Sequence, residues 1–340
     1  MPITREYLVK RIFSQIVVIF GVVIIVFIIT RVIPARPEFL WAGPHPTPEQ
    51  LQKAREELHL NENILVQLYL YLLDLFNGNW GISWRTKTPV LDDIAHALPA
   101  TLELIIVAFT IAIVIGIPLG IFAALKRGKI TDNIIKIITV IGASLPTFWL
   151  ALVVQLIFGT WLRVLPAGGR VNDILVIQTG FQPITGFYLL DSLIQGNIAI
   201  FLDVLQHIIL PSLVLSIYPM SLSARMTRAL MVEVLNEQYI RSANVWGISQ
   251  RLIVYKYALK NAIAPVVASL GLSFGYTIVG AFLVELIFVW PGIGLYLAMS
   301  LLSFDYPAVI AVVIIIAIFY TTINMLVDIL HAIIDPRVKL

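Results

Sequence analysis

Six long stretches without a charged residue constrain this chain more than any other feature. A helix needs roughly 20 mostly apolar residues to cross a hydrocarbon core about 30 Å thick. Each of the six stretches has 19 residues or more, and they cover residues 12–30, 104–125, 137–162, 204–224, 261–284 and 306–327. The pattern predicts an all-α polytopic membrane protein with six transmembrane helices.

The composition excludes a soluble domain of the same length. Charged side chains make up 13% of the 340 residues and hydrophobic ones 59%, whereas ordinary globular domains are roughly 25% charged. The absence of cysteine excludes disulfide scaffolds and thiolate zinc sites. A further uncharged stretch, residues 174–190, contains Gly180, Pro183 and Gly186. It predicts an external loop, because such breaks leave backbone groups unpaired in lipid.

The distribution of lysine and arginine predicts the orientation of the chain. Fifteen of the 23 basic residues fall on one side of a six-span chain, and six of them lie in one loop, residues 225–260. By the positive-inside rule, both termini are then cytoplasmic. The first stretch is too long for the apolar region of a signal peptide and lacks a cleavage site, so we expect it to remain as an anchor.

This orientation leaves two long external segments, which we expect to form a small extracytoplasmic cap. Two short amphipathic helices are predicted within residues 49–75 of the first segment. The predicted parts, in chain order, are the N-terminal tail with the first transmembrane helix (1–33), an extracytoplasmic segment (34–98), a five-helix permease core (99–335) with the external loop 163–203 and the cytoplasmic loop 225–260, and the C-terminal tail (336–340).

No residue pattern supports catalysis or ion coupling. The histidines are dispersed, no HExxH or GxSxG motif occurs, and we expect Asp92 and Asp93 to form a solvated patch. Ion-coupled carriers place charged groups inside their spans, whereas these spans contain almost no charged residues. Glu285 lies at the end of a span, and we expect it to make a structural contact there. Residues 120–129 lack the GxxxxGK[ST] spacing of a phosphate-binding loop. We therefore expect no catalytic residue and no metal site, and we place ATP hydrolysis on another polypeptide.

The basic loop 225–260 has more pattern than a run of charges. Residues 232–245 predict a helical piece, Gly247 a break, and the following residues a second segment that rises to Pro265. The short helix exposes a partly apolar face, which suits docking into a groove on a soluble partner. Attachment to anionic lipid, at about 1 kcal/mol per basic residue, explains the same residues. The residues alone leave both interpretations open.

Several segments resemble one family of transporters. The loop and the following helix read YIRSANVWGISQRLIVYKYALKNAIAPVV, in which Ala243, Gly247 and Pro265 match the loop pattern of ABC importer permeases. Residues 284–294 (VELIFVWPGIG) and 324–337 (NMLVDILHAIIDPR) resemble the closing signatures of the dipeptide, oligopeptide and nickel branch. The order of such blocks along nearly the whole chain is similar to that in the first of the branch's two permease subunits.

Two segments depart from the family pattern. Residues 35–37 read Ala-Arg-Pro where members often have Gly-Asp-Pro, and residues 244–246 read Asn-Val-Trp where Arg-Ala-Lys is commoner. The second change makes the loop helix less basic. We therefore expect a correspondingly more apolar groove on its partner.

The resemblance implies an assembly in the cell membrane. Its partners are a second homologous permease subunit, two ABC ATPase subunits, an extracytoplasmic substrate-binding protein and the lipid bilayer, with no nucleic acid. ATP and magnesium are expected on the ATPase subunits, and no cofactor on this chain. The ATPase-coupling residues that the resemblance implies are Glu237, Tyr239, Arg241, Ala243, Trp246 and Gly247.

Peptides are the usual cargo that the resemblance implies. The cysteine-free, isoleucine-rich composition is a hint of a thermophile, in which import of di- or oligosaccharides is the alternative. An ion-coupled secondary carrier is the alternative from a different class.

Small and hydroxylated residues around the fifth span are candidates for a pathway or gate. Their hydroxyl groups could present polar atoms to a passing solute, and a bend after the span could help to close an external gate. Close-packed helix contacts or a purely structural turn explain the same residues, and the sequence leaves the choice open. The candidates are Ser144, Ser269, Ser273, Tyr276, Glu285, Pro291, Gly292 and Gly294.

Overall fold

The structure is a computed structural model that describes residues 5–32, 36–43 and 45–334. Within these residues the regular structure is helical, apart from one isolated β-bridge between Ile82 and Pro89. The helices are α1 (Arg5–Phe27, continued as a π-helix over Ile28–Val32), α2 (Pro37–Ala42), α3 (Pro48–Glu57), α4 (Ile64–Phe76), α5 (Val90–Leu125), α6 (Ile130–Ser144), α7 (Thr147–Val154, continued as a π-helix over Gln155–Trp161), α8 (Asp173–Thr179), α9 (Tyr188–Ile194), α10 (Ile198–Leu235), α11 (Gln238–Val245), α12 (Gln250–Ile287, with a π-helical segment over Ile253–Ala258), α13 (Ile293–Leu302) and α14 (Tyr306–Ile334).

Five of these helices are long and apolar enough to cross a membrane. They are α5, α10 and α12, together with Val9–Val32 in α1 and Tyr306–Val327 in α14. These helices confirm five of the predicted spans and the all-α polytopic class. The cytoplasmic placement of the termini and the external cap stay predictions, and residues 1–4 and the tail at 336–340 lie outside the described residues.

The third predicted span is not one continuous helix. It is divided between α6 and α7, which are bent by 103° at the break, and the pair is long enough to count together as a sixth span. Pro146 causes the break, because proline lacks an amide hydrogen and disfavours helical backbone in the residue before it. Leu145 accordingly adopts an extended conformation with ψ of 135°.

The helices extend well beyond the uncharged stretches. Helix α5 already begins at Val90, so the predicted boundary between residues 98 and 99 falls inside a continuous helix. Helix α10 likewise runs from Ile198 to Leu235. The uncharged stretches locate the hydrocarbon-length part of each helix, whereas the helix itself continues for as long as its backbone hydrogen bonds are satisfied.

Small residues bring α5 and α10 into close contact. A Cβ atom built at Gly120 would lie 2.6 Å from the carbonyl oxygen of Ala224 and 2.6 Å from Cβ of Thr227. One and two turns away, Gly116 faces Met220 and Ser223, and the Ser223 hydroxyl donates a hydrogen bond to the Ala112 carbonyl at 3.2 Å. The hydrophobic effect does not favour helix association in lipid, because lipid tails are as apolar as the helices. Van der Waals contacts between closely packed backbones therefore stabilise the pair.

The two predicted external segments meet at one end of the bundle. Helices α3 and α4 are the two short helices predicted in residues 49–75, and α4 packs on α1 and α14 through Tyr71, Val23 and Ile314. The stretch 174–190 holds parts of the short helices α8 and α9 and no candidate span, as predicted. The Arg170 guanidinium ties this loop to α5 by bonding Glu103, with 2.6 Å between Nη2 and Oε2.

We predict that Gly120→Ala destabilises the chain, although alanine forms helices better than glycine. The new methyl group would overlap backbone and side-chain atoms of α10, and such overpacking costs about 1–3 kcal/mol. Gly21→Ala in α1 is the matched control, because a Cβ atom there meets nothing within 4 Å. Thermal unfolding of the detergent-purified chain should show a lower Tm for the first variant and an unchanged or higher Tm for the second. Equal Tm values for the two variants would contradict the close contact.

Candidate functional site

The segment that joins α10 to α12 is shorter than the predicted loop 225–260, and the chain turns sharply within it. The predicted helix over residues 232–245 is wrong as one element, because α10 ends at Leu235 and α11 begins at Gln238. Glu237, at the start of α11, has extended backbone with ψ of 152°, which turns the chain away from the axis of α10. We call residues 236–249 the coupling segment.

Gly247 makes the predicted break at the other end of α11. Its φ of +74° is in the left-handed region that favours glycine. The amide of Ile248 donates to the carbonyl of Ala243 at 3.1 Å, and that of Gly247 donates to Asn244 at 3.1 Å. This arrangement satisfies carbonyls at the end of α11 in the manner of a glycine C-cap.

One face of α11 is seated on the chain's own helices. Ile240 and Ala243 are buried in a cluster with Ile121 and Ala124 of α5, Met231 of α10 and residues of α12. Ala243 therefore packs against residues of this chain itself. A movement of α11 is transmitted directly to the ends of α5, α10 and α12, because packed side chains have little room to yield.

The other face of α11 is exposed and partly apolar. Val245 is 85% exposed and Trp246 84% exposed, and Tyr239 and Arg241 also face outward. The Tyr239 hydroxyl is fixed by the Asn261 amide, which donates to it at 2.8 Å. Exposed aromatic residues in a small apolar patch are typical of a protein interaction site. Glu237 is exposed beside this patch.

A buried ion pair holds the same end of the bundle together. The Asp132 carboxylate at the start of α6 is fully buried, and the Arg228 guanidinium of α10 donates to both of its oxygens, at 2.5 and 2.8 Å. The amide of Gly128 donates to Asp132 as well, at 3.0 Å. This two-pronged geometry fixes orientation as well as distance, so the α5–α6 loop and α10 are joined close to the coupling segment.

At the opposite end of the bundle, Glu285 caps a helix. Its carboxylate is fully buried near the end of α12 and accepts hydrogen bonds from the amides of Gly294 at 2.6 Å and Leu295 at 3.2 Å, in the first turn of α13. The Thr101 hydroxyl of α5 donates to the same carboxylate at 2.6 Å. A negative charge at a helix N-terminus is stabilised by the free amides and by the helix dipole.

The glycines around Glu285 are required by close packing. A Cβ atom at Gly292 would lie 2.5 Å from the Glu285 carboxyl carbon, and one at Gly294 would lie 2.6 Å from Cα of Phe282. Pro291 is exposed on the outside of this turn. The structure thus brings four candidates together, Glu285, Pro291, Gly292 and Gly294, as a structural corner. Their part in a gate stays a prediction.

Two residues that complete this corner were not predicted. The hydroxyl of Thr101 accepts from the amide of Ile293 at 2.8 Å while it donates to Glu285, and the Trp290 indole donates to the Ala100 carbonyl at 2.9 Å. Both partners lie about 190 positions away in the chain. The one local sequence signal for these contacts was the position of Trp290 between a span and a Pro-Gly pair.

The remaining pathway candidates are scattered. The hydroxyls of Ser144, Ser269 and Ser273 donate to carbonyls of their own helices, at 2.8, 2.8 and 2.6 Å. Tyr276 is exposed and its ring contacts that of Tyr218, with 5.7 Å between centroids. The serine bonds are those of ordinary helix residues, so the structure does not gather these candidates into one polar pathway.

A cleft of about 670 Å³ lies beside the Glu285 corner and is lined by Arg85, Asp93, Arg170, Tyr296 and other residues. Asp93 accepts hydrogen bonds from Thr86 at 2.6 Å and from Tyr296 at 2.9 Å. Asp93 is half-buried at the edge of the cleft, whereas Asp92 is exposed, as expected for a solvated patch. Burial and the neighbouring Asp93 raise the pKa of Tyr296.

Among the described residues no group of three or more His, Asp or Glu side chains could hold a metal ion.

Two regions of the chain match known families of transport proteins. Residues 116–340 match the family described as "binding-protein-dependent transport system inner membrane component". The chain belongs to this family. Residues 4–105 match the separate N-terminal region of the same transport systems. The family is a membrane component of a transport system, which confirms the predictions of a transporter subunit, of a multi-pass protein of the cytoplasmic membrane and of a substrate-binding protein as partner.

Individual relatives align over almost the whole length of this permease. The probable D,D-dipeptide transport system permease DdpB of Escherichia coli (strain K12) is 41% identical, and the alignment covers 97% of this chain and 96% of the relative. The dipeptide transport system permease DppB of Alkalihalophilus pseudofirmus is 40% identical, with 98% and 99% covered. The glutathione transport system permease GsiC of Escherichia coli O1:K1 is 32% identical, with 98% and 99% covered.

We predict that Glu285→Ala strongly destabilises the permease. The change leaves the Thr101 hydroxyl and the amides of Gly294 and Leu295 unpaired, and each buried unpaired group costs about 1–3 kcal/mol. Glu285→Gln keeps an acceptor oxygen and should lose less. Glu233→Ala, at an exposed position in α10, is the control and should leave the Tm unchanged. A Tm for Glu285→Ala equal to that of the control would contradict the capping role.

Proposed function

We propose that this permease is the first of two membrane subunits of an ATP-driven importer that takes up dipeptides and oligopeptides. The observation that carries the proposal is near-full-length similarity to permeases named for dipeptide transport, at 40–41% identity. The relative named for glutathione, itself a peptide, supports the same class of cargo. None of these three names refers to a saccharide, so an oligosaccharide importer is the weaker alternative.

The proposed assembly contains a second homologous permease subunit, two ATPase subunits and an external binding protein. Incomplete burial of the spans supports a second membrane chain. In the most apolar part of each continuous span, between 17% and 44% is buried within this chain, so much of the surface is left for lipid or another subunit. On α12, the exposed face includes Leu272, Tyr276 and Val279.

The coupling segment is the proposed contact with the ATPases, which would bind ATP and magnesium. The chain has no phosphate-binding loop of its own. To move a pathway from 1:99 to 99:1 between two states, ATPase closure must favour one state by about 5.5 kcal/mol. Trp246 and Tyr239 offer the exposed aromatic anchors for this contact. The seated face of α11 and the Asp132–Arg228 pair connect it to the spans.

The test of the proposed function is transport by the reconstituted assembly. Proteoliposomes that contain both permeases, both ATPases and the loaded binding protein should accumulate a labelled dipeptide only with ATP, and ionophores should not reduce the uptake. Unlabelled dipeptide should compete and unlabelled oligosaccharide should not. Ionophore-sensitive uptake without ATP would instead identify an ion-coupled carrier, and competition by the oligosaccharide alone would identify the sugar importer.

We predict that Trp246→Ala weakens ATPase binding. A buried aromatic anchor at an interface contributes about 2 kcal/mol or more, or roughly 30-fold in Kd. Trp161→Ala is the matched control, because Trp161 is also exposed but ends the π-helical continuation of α7, away from α11. Binding of the purified ATPases to the permease pair in nanodiscs measures the effect. An equal Kd for both variants would exclude Trp246 from the contact.

We predict that Gly247→Val leaves the permease inserted but uncoupled. A β-branched side chain in left-handed backbone costs about 1–2 kcal/mol, so the turn after α11 shifts and the coupling segment is misplaced. Gly180→Val is the control, since Gly180 also has positive φ (63°) and open space around it, but lies after α8. The readout is ATPase stimulation by loaded binding protein. Unchanged stimulation in Gly247→Val would refute the assignment.

A further inference from the structure

We propose that the pocket beneath α2–α4 binds the carboxylate end of a small peptide. The inference rests on the proposed peptide import and assigns an accessory site outside the spans. The pocket has a volume of about 400 Å³ and is lined by residues of α3, α4, α14 and the segment 79–87, with Arg31 at its base. Ligand sites commonly have volumes of about 300–1,000 Å³.

Arg31 is the buried cation in this pocket that an anionic ligand would neutralise. Its side chain is only 9% exposed, yet its one hydrogen bond among the described residues is a 3.3 Å contact from Nη1 to the Leu58 carbonyl. No carboxylate of the described residues lies within salt-bridge distance of it. The guanidinium contacts the rings of Tyr71 at 4.8 Å and Phe27 at 5.5 Å. A buried guanidinium with free donors is stabilised by a two-pronged oxyanion.

Tyr71 supplies a second unsatisfied polar group in the same pocket. Its side chain is 8% exposed, and its buried hydroxyl has no hydrogen-bond partner among the residues that the structure describes. Burial raises the pKa of Tyr71 to about 12, with the nearby Arg31 acting in the opposite direction. The hydroxyl therefore stays protonated at neutral pH and can donate to an oxyanion. Buried polar groups are normally paired, so this one indicates a missing partner.

The walls and the mouth of the pocket favour a water-soluble, amphipathic ligand. Trp41, Trp80 and Trp84 line the walls and provide apolar surface for a side chain. Lys53, Glu57 and Lys87 line the pocket and are exposed. Charges of both signs at the opening mark a face toward water rather than toward lipid tails, which favours a peptide over a phospholipid.

The acidic residues of the pocket do not form a salt bridge with Arg31, although Asp74 attracts its guanidinium from a longer distance. Glu57 accepts a hydrogen bond from the Trp41 indole at 3.1 Å and lies 3.9 Å from Lys53. Asp74 accepts from the Asn79 side chain at 3.4 Å. Both carboxylates remain able to attract a cation, so the lining offers charges of opposite sign, as a zwitterionic peptide requires.

The test uses the full chain in nanodiscs of uncharged lipid and the dipeptide alanylphenylalanine as probe. Binding is followed by tryptophan fluorescence, because three tryptophans line the pocket, and by calorimetry. Amidation of the peptide carboxyl group should weaken binding about tenfold to a hundredfold, which is the effect of losing a charge-assisted hydrogen-bond pair. Equal binding of the acid and the amide would overturn the proposal.

Variants separate the pocket from other basic sites. Arg31→Gln should weaken binding of the acid to the level of the amide, and Tyr71→Phe should weaken it severalfold. Arg36→Gln is the matched control, because Arg36 is exposed, stacks on Phe39 and is absent from the pocket lining. If Arg31→Gln fails to fold, Tyr71→Phe and the amidated peptide still decide. An unchanged Kd in Tyr71→Phe together with unchanged binding of the amide would refute the site.

Two further experiments show whether the bound anion comes from a peptide or a lipid, and whether a negative result refutes the pocket or the proposed function. Nanodiscs with phosphatidylglycerol should leave peptide binding intact, whereas loss of binding there would assign the pocket to a lipid phosphate and overturn the peptide proposal. ATP-driven dipeptide uptake without binding to the isolated chain would refute the pocket alone. Peptide binding by a permease whose assembly imports no peptide would refute the proposed function alone.

Discussion

Where α5 and α10 cross, glycine and serine residues let backbone approach backbone, and the rest of the bundle is arranged around that contact. Gly116 and Gly120 lie against Met220, Ser223 and Ala224 with no room for another methyl group. Around the same two helices, the core continues with Ala108, Ile208 and Val284. In a membrane, such steric fit must supply what burial from water supplies elsewhere, so a change at this crossing affects every helix that packs on the pair.

Three buried carboxylates then fix the connections between helices. Glu285 holds the corner between α12 and α13, Glu103 holds the 163–203 loop through Arg170, and Asp132 holds the α5–α6 loop to α10 through Arg228. Each is satisfied by several donors, which offsets its desolvation. These three buried carboxylates thus fix loops and helix ends on the spans. This role explains why charged residues are scarce within the spans but present at their ends.

The sequence predicted the parts of the fold that depend on local composition. Uncharged runs located the spans because hydrocarbon thickness sets their length, and Gly247 marked a turn because few other residues adopt its backbone. The break at Pro146 and the start of α5 at Val90 were missed, since run length carries no information about helix continuity. The partners of Glu285 were missed because Thr101 is distant in sequence. Arg31 was not singled out, because its burial depends on contact with Tyr71 of α4, which is distant in sequence.

The bend between α6 and α7 has a consequence for what surrounds this chain. Each helix end leaves carbonyl or amide groups without partners in the same helix, and here two such ends meet within a length that otherwise suffices for a span. Hydrocarbon offers these groups nothing to bond, and irregular backbone at that depth persists only against protein or water. Ser144 and Pro146 are exposed at the bend. At hydrocarbon depth, this part of the surface would have to face another chain or a hydrated passage instead of lipid tails.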